Sequence, residues 1–297
     1  MKPAYAGHLA MLAFSLLVAG SFALGVLSAN DISPMALNAV RFWIAAGVIG
    51  ATVLATTGMQ RQALAAPWRY VVLAGFFTTY FVLMFEGLKT APAVSAAAVF
   101  TLTPVLTALF GWLLLRQVLT RRMALALGVG AIGALWVIFE ADFDALLRFE
   151  IGRGELIYFC GCISHAVYTP MVRKLHRGEP AIVYTFCTLL AGAMILTVLG
   201  WGDLRETDWA SLPGIVWVTI GYTAVFASAA TFTLLQFATL RLPSSKVMAY
   251  TYLTPSWVIA WGTALGGGTP APAVLLGVGL TIIALLLLLK DEHPFTG

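Results

Sequence analysis

Ten apolar runs, each long enough to cross a bilayer, follow one another along this chain with little between them. They cover residues 7–29, 35–56, 70–88, 93–115, 122–139, 154–172, 181–199, 212–235, 246–265 and 273–289. A spanning helix takes ~20 apolar residues, so ten of them consume roughly 200. What is left of the 297 residues serves loops and tails and leaves no room for a soluble domain. Charge agrees: 10% of the residues are charged and mean hydropathy is +0.91, where a soluble domain needs ~25% charged residues to keep its surface wet. A soluble enzyme, a disordered chain and a coiled coil are all argued against. The expected fold class is an all-α integral membrane protein with ten transmembrane helices. The first run exceeds the ~7–15-residue core of a cleaved signal and reads as a mature helix.

The separators are turn chemistry: Asn30-Asp31-Ile32-Ser33-Pro34, Lys89-Thr90-Ala91-Pro92 and Gly266-Gly267-Gly268-Thr269-Pro270. Proline removes a backbone donor and glycine frees the backbone, so both suit places where water satisfies the peptide groups. Basic loop residues choose the cytoplasmic side. With the N-terminus inside, the inner segments hold Lys2, Arg61, Arg69, Arg116, Arg121, Arg122, Arg173, Lys174, Arg177, Arg241, Lys246 and Lys290, and the outer ones only Lys89, Arg148, Arg153 and Arg205. The outer loops also carry Glu140, Asp142, Asp144, Glu150, Asp203, Glu206 and Asp208. Both termini are therefore expected in the cytoplasm, with the chain in the inner membrane. In that setting the net charge of +4 and pI of about 9.1 read as cytoplasmic loop charge, not as nucleic-acid affinity.

The chain also repeats itself. Leu102-Thr103-Pro104 recurs as Leu253-Thr254-Pro255, each preceded by another proline, Pro92 and Pro243. Leu127-Gly128-Val129-Gly130 recurs as Leu276-Gly277-Val278-Gly279, and Trp68 and Trp209 each open an apolar pair. The copies are residues 1–145 and 146–297, five spans apiece, joined near residues 140–153. Five is odd, so the second copy enters the membrane from the opposite side, and the halves form an inverted repeat around a central cavity. Many secondary transporters are built this way, with substrate bound near the midplane between the halves. The alternative is a duplication kept only for packing.

Several short motifs resemble a known family. They are Ala19-Gly20-Ser21-Phe22, Ser33-Pro34 followed by Arg41-Phe42, Gly87-Leu88 with Ser95 running to Thr103-Pro104, Tyr168 with Arg173-Lys174, and Tyr252-Leu253-Thr254-Pro255. Taken with the ten spans and two copies, they resemble the EamA type of the drug/metabolite transporter superfamily over nearly the whole chain. The resemblance implies a secondary transporter or exporter of small metabolites, amino acids among them, with the fifth and tenth spans peripheral and the other eight around the cavity. Polarity points the same way. The fifth span has no hydroxyl or amide side chain and the tenth only Thr281, whereas the third, fourth, eighth and ninth spans are studded with Thr, Ser, Tyr and Trp.

A charge at membrane depth costs ~2.5–3.5 kcal/mol on insertion scales and is rarely idle. Arg41 and Glu86 are the two that lie more than a residue inside a run, at similar depth. Either they pair and gate the outer side, or Glu86 pairs with Lys89 while Arg41 snorkels outward. His165, the one histidine deep within a span, lies a turn from Tyr168; it either contacts a substrate carboxylate or carries a proton, or is a neutral ring bonded to a neighbouring helix. Pro104 and Pro255 hold equivalent central places and bend their helices, as hinges or as fixed kinks. The expected cavity residues are Ser21, Tyr80, Thr101, His165, Tyr168, Tyr222, Tyr250 and Trp257, with Tyr250, Thr254, Trp257 and Trp261 on one helix face. Scattered hydrogen-bonding groups on an apolar, aromatic lining suit a small-molecule path, although a Ser or Thr equally bonds its own helix backbone.

Other chemistries lack their residues. Cys160 and Cys162 lie ~200° apart around a helix and cannot share an ion, and Cys162 with His165 supplies too few ligands for a metal. The three cysteines, Cys187 included, read as packing residues. No Gly-Lys-Ser/Thr phosphate loop is present, so ATP does not drive transport within this chain and no cofactor is implied. An intramembrane enzyme would need a nucleophile with a base, or paired acids, and more than a residue inside their ends the spans offer one Glu, one His and no Asp. The function reading is a carrier exporting small metabolites, most often amino acids, neutral or aromatic, by alternating access. A channel, or a transporter of drug-like or nucleotide-sugar-like metabolites, is the alternative. Ala126, Gly130 and Ala134 allow close helix contact within one monomer or, less simply, across a dimer.

Overall fold

The computed structural model of the chain describes residues 3–118, 120–139, 141–144, 151–266 and 270–289. Lys2, Glu140, Arg148, Glu150, Gly267, Gly268, Thr269 and Lys290, used above, lie outside the described residues, as does half of the join between the repeats. Helices occupy every predicted span. In order they are α1 Pro3–Ser28, α2 Pro34–Thr56, a 3-10 turn Arg61–Ala65, α3 Trp68–Gly87, α4 Ala93–Phe100, α5 Thr103–Leu115 and α6 Arg121–Ile138. Then come α7 Arg153–Leu175, α8 Ala181–Leu199, α9 Trp201–Glu206, α10 Gly214–Ala224, a π-turn Val225–Ala230, α11 Thr231–Thr239, α12 Ser244–Ala249, a 3-10 turn Tyr250–Leu253, α13 Thr254–Ala264 and α14 Pro272–Leu289. No strand occurs among the described residues.

Local chemistry sets the starts. Ser33 caps α2 by accepting the Met35 N–H at 3.2 Å, with Pro34 at the first helical position. Thr120 does the same for α6 through the Met123 N–H at 3.1 Å. Pro92, Pro180, Pro213 and Pro243 sit just ahead of α4, α8, α10 and α12, where a missing N–H costs nothing. Pro104 and Pro255 act more strongly than kinks. Each ends one helix and opens the next, so the fourth span is α4 plus α5 and the ninth is α12, a 3-10 turn and α13. The eighth span is interrupted without proline: the π-turn divides α10 from α11.

Eight stretches are long and apolar enough to cross a membrane: Tyr5–Ser28, Pro34–Thr56, Trp68–Gly87, Ala93–Leu115, Arg121–Ile138, Ala181–Leu199, Gly214–Thr239 and Pro272–Leu289. The other two predicted spans fall short for visible reasons. α7 is diluted by Tyr158, His165, Tyr168 and Pro170 and carries charge at both ends, while the ninth span is broken in its middle.

α6 lies along α14, α2 along α8, α3 along α7 and α1 along α10 and α11. α4 and α5 also meet α7, as α12 and α13 meet α1; α3 meets α8, as α10 and the π-turn meet α2. α5 meets α12, and α4 meets α13. Gly133 and Gly277 let α6 and α14 cross closely: a Cβ on either would lie 2.7 Å from the other's carbonyl oxygen. Ala126, Gly130 and Ala134 are buried within the chain, Gly130 against the Tyr252 ring. The core fills the space among α1, α2, α3, α7, α8 and α11. Large apolar side chains face outward on the rim, among them Leu125, Ile132, Leu276, Ile283 and Leu286 on α6 and α14, a surface suited to lipid. Cys160 is exposed, Cys162 and Cys187 are buried, and all three are free.

Candidate functional site

An aromatic cluster fills the middle of the bundle. α3 contributes Phe77, Tyr80 and Phe81, which helical spacing puts on one face; α4 gives Phe100, α7 gives Tyr158, His165 and Tyr168, and α11 gives Phe232. The ring centroids of Phe77 and Phe232 are 3.9 Å apart, Phe77 and Tyr168 4.3 Å, and Tyr80 and His165 4.5 Å. The cluster is apolar but keeps polar edges. The Tyr80 and Tyr158 hydroxyls are 3.0 Å apart, and the Tyr168 hydroxyl accepts from Gln236 Nε2 at 3.3 Å. His165 is 1% exposed, and its Nδ1 has no hydrogen-bond partner among the described residues. Ser21 on α1 is likewise buried with no partner for its hydroxyl among the described residues, beside Phe22, whose ring lies 5.9 Å from that of Phe100 and meets that of Tyr158 edge-on at 5.8 Å.

Of the expected cavity residues, Tyr80, His165 and Tyr168 thus meet. Thr101 lies next to Phe100, but its hydroxyl donates to the Ala98 carbonyl at 2.6 Å, inside its own helix. Tyr222, Tyr250 and Trp257 gather elsewhere, against α1. Tyr222 donates to the Leu17 carbonyl at 2.9 Å, Trp257 Nε1 to Ser15 Oγ at 3.2 Å, and the Tyr250 hydroxyl lies 3.0 Å from His8 Nδ1. Tyr250 and Trp257 turn to α1, and Trp261 packs on Tyr222. The eight expected residues therefore divide into a central set and a set along α1.

Arg41 and Glu86 do not meet. Glu86 pairs with Lys89 at 2.7 Å on the surface. Arg41 is fully buried, and its guanidinium lies 3.7 Å from the centroid of the Phe81 ring. Nε donates to Ser228 Oγ at 2.7 Å, Nη2 to the Ala227 carbonyl at 2.8 Å and Nη1 to Asn38 Oδ1 at 3.3 Å. Ala227 and Ser228 belong to the π-turn, whose wider winding leaves a carbonyl free to accept.

These features belong to a known kind of protein. The sequence profile of the EamA-like transporter family matches residues 5–139 and again residues 152–290. The chain belongs to the EamA-like transporter family. It is therefore a multi-pass membrane transporter of the drug/metabolite superfamily. An uncharacterized transporter of Bacillus subtilis, YyaM, is 26% identical, covering 94% of this chain and 92% of its own. Two proteins named S-adenosylmethionine/S-adenosylhomocysteine transporters are each 24% identical over 92% of this chain: one of Chlamydia trachomatis, 85% of it covered, and one of Chlamydia muridarum, 88% covered. A solved crystal structure shares the fold with a TM-score of 0.73 at 21% identity, over 98% of this chain and 99% of that one.

Two buried carboxylates of this EamA-family chain escaped the sequence reading. Glu155, in the first turn of α7, accepts from Ser95 Oγ at 2.8 Å and ties α7 to α4. Glu179, between α7 and α8, pairs with Arg69 at the start of α3. Arg69 also donates to the Leu175 carbonyl at 2.7 Å, and the Tyr70 hydroxyl, 2.9 Å from the Ala63 carbonyl and 3.3 Å from Glu179, has its one proton to give to either. Burial alone would raise the Glu179 carboxyl, but Arg69 and the Arg177 backbone N–H, which donates at 2.9 Å, hold it below the usual carboxylate range. Glu179 follows three basic residues, Arg173, Lys174 and Arg177, and that reversal of sign is the one signal that could have found it. Ring faces, hydroxyl edges and the Arg41 guanidinium thus meet in the centre of the bundle.

Proposed function

We propose that the chain is a carrier that exports a small amino-acid-like metabolite from the cytoplasm across the inner membrane by alternating access. In this reading ten helices span the membrane, residues 1–145 and 146–297 are inverted five-span repeats, and both termini are cytoplasmic. The observation that carries it is the aromatic cluster at the junction of the two halves. Phe77, Tyr80, Phe81 and Phe100 come from one repeat, Tyr158, His165, Tyr168 and Phe232 from the other. A binding site shared by two halves opens to either side as the halves rock. The helix pairing supports a twofold relation between the halves, and the odd number of spans in each makes that relation an inversion. α3 on α7 has its counterpart in α10–α11 on α1, and α4–α5 on α7 has its counterpart in α12–α13 on α1. α2–α8 and α6–α14 join a span to its own counterpart, as elements beside a twofold axis do. The breaks at Pro104 and Pro255 give both halves a joint at the same place, and Arg41, Pro104 and Pro255 are the residues read as moving with substrate.

A second reading has support in the names of the chlamydial relatives, S-adenosylmethionine/S-adenosylhomocysteine transporters. Both ligands are amino acids carrying a flat purine, so the same aromatic cluster would accept them. Proteoliposomes loaded with labelled amino acids, or with S-adenosylmethionine, decide between the readings when counterflow is followed at two pH values. Saturable exchange of an amino acid is the expected result. Exchange of S-adenosylmethionine alone would favour the second reading, and single-channel conductance without counterflow would replace both with a channel.

A further inference from the structure

The geometry points to Arg41 as the anchor for a substrate carboxylate, with the aromatic cluster beyond Phe81 taking the apolar remainder. This rests on the carrier reading and names the end of the substrate that the site grips. Arg41 is 0% exposed, and among the described residues no carboxylate pairs with it. A buried cation is costly unless something negative completes it, yet its partners are a hydroxyl, a backbone carbonyl and an amide, all neutral. Guanidinium is a planar fork that fits a carboxylate with two parallel bonds, and such charge-assisted bonds are roughly twice as strong as neutral ones. A carboxylate would therefore displace Ser228 and the Ala227 carbonyl. Both lie on the π-turn, and that turn would then be released from α2, so occupancy of the site and movement of the α10–α11 span are one event. The rest of the ligand has a place to go. Phe81, under the guanidinium, is 4.9 Å from Phe77 and 4.8 Å from Tyr80 between ring centroids. Those rings surround His165, whose Nδ1 is unpartnered and buried. One cation suits a single carboxylate better than a phosphate, which calls for several donors of like charge.

The test compares acids with their amides. The 297-residue chain, purified in detergent and in proteoliposomes, is given L-phenylalanine, L-tryptophan and S-adenosylhomocysteine, each beside its carboxamide, which keeps the size and loses the negative charge. Melting temperature reads binding, and counterflow reads transport. At least one acid is expected to bind and exchange, with its amide needing about tenfold more or higher. Arg41→Gln should bring the acid down to the level of the amide. Arg41→Lys, a point charge without the fork, should fall between. An amide as effective as its acid, an unchanged acid-to-amide ratio in Arg41→Gln, or no binding of any of the three acids would overturn the assignment. If Arg41→Gln does not fold, the wild-type ratio and Arg41→Lys decide. Binding without exchange would remove the carrier reading and leave the anchor, and exchange of acid and amide alike would do the reverse.

Discussion

Glu179 lies between two helices and is still buried, because Arg69, Tyr70 and the Arg177 N–H all turn their donors to it. Its carboxyl is held below the ordinary range. A depressed carboxyl contributes stability above its unfolded value of about 4.3, and the contribution is lost as pH falls through the lower folded value. This group therefore contributes evenly from about pH 8 to about pH 5 and fails only on the acid side. Removing one partner of a buried pair costs about 3–5 kcal/mol. Glu179→Gln is expected to lower stability by that order at neutral pH and to flatten the acid-side loss, measured by thermal melts of both proteins across pH. An unchanged neutral-pH melt would make the pair dispensable. Neighbouring residues show what a sequence reveals at this scale. Tyr80, His165 and Tyr168 stood out because polar groups are rare on apolar helices. Phe77, Phe81, Phe100 and Phe232 did not, since a phenylalanine facing lipid and one lining a site look alike in sequence. Arg41 was legible as a solitary charge. Its true partners were not, because one is a backbone carbonyl freed by a turn that no residue type announces.

Helices carried their own punctuation. Serine, threonine and proline marked the starts of α2, α4, α6, α8, α10 and α12, and these followed from backbone chemistry alone. Short α9 and the π-turn had no such marks, and Pro104 and Pro255 broke their helices where a bend was expected. One close helix crossing depends on two residues without side chains. At Gly133 and Gly277 the atom opposing a new Cβ is a backbone oxygen, which no rotamer change can move. Gly133→Ala and Gly277→Ala should each push α6 from α14 and cost roughly 1–3 kcal/mol, the usual range for overpacking. The double variant should cost less than the two summed, since one displacement relieves both clashes. Melting temperatures of the three proteins measure this, and full additivity would mean the helices do not touch there.

Charge divides the whole molecule by its ends. One end gathers the Ser28–Pro34, Gly87–Ala93 and Asp203 segments, joined by Asn30 donating to the Lys89 carbonyl at 3.3 Å and Ser33 to Asp203 Oδ1 at 2.6 Å. There Asp31, Asp203, Glu206 and Asp208 line a cleft of about 340 Å³. At the opposite end Arg69 reaches the Leu175 carbonyl and Arg173 the Leu242 carbonyl, so the α3, α7 and α11 ends carry arginine together. Basic residues are retained on the cytoplasmic side during insertion, and acidic ones matter little. The basic end should therefore face the cytoplasm and the acidic cleft the opposite compartment. An odd number of spans per repeat makes this a test of inversion as well as orientation, because an even number would put the Arg69 and Arg173 ends on opposite faces. In a variant with Cys160, Cys162 and Cys187 replaced by alanine, single cysteines at Asp31 and Arg177, which follow the first span of each copy and are both exposed, report the sides. Asp31→Cys should react with a membrane-impermeant thiol reagent in intact cells, and Arg177→Cys only after permeabilisation. The reverse pattern would turn the molecule over, and equal reaction at both would place corresponding points of the two copies on one side of the membrane, which the inverted arrangement does not allow.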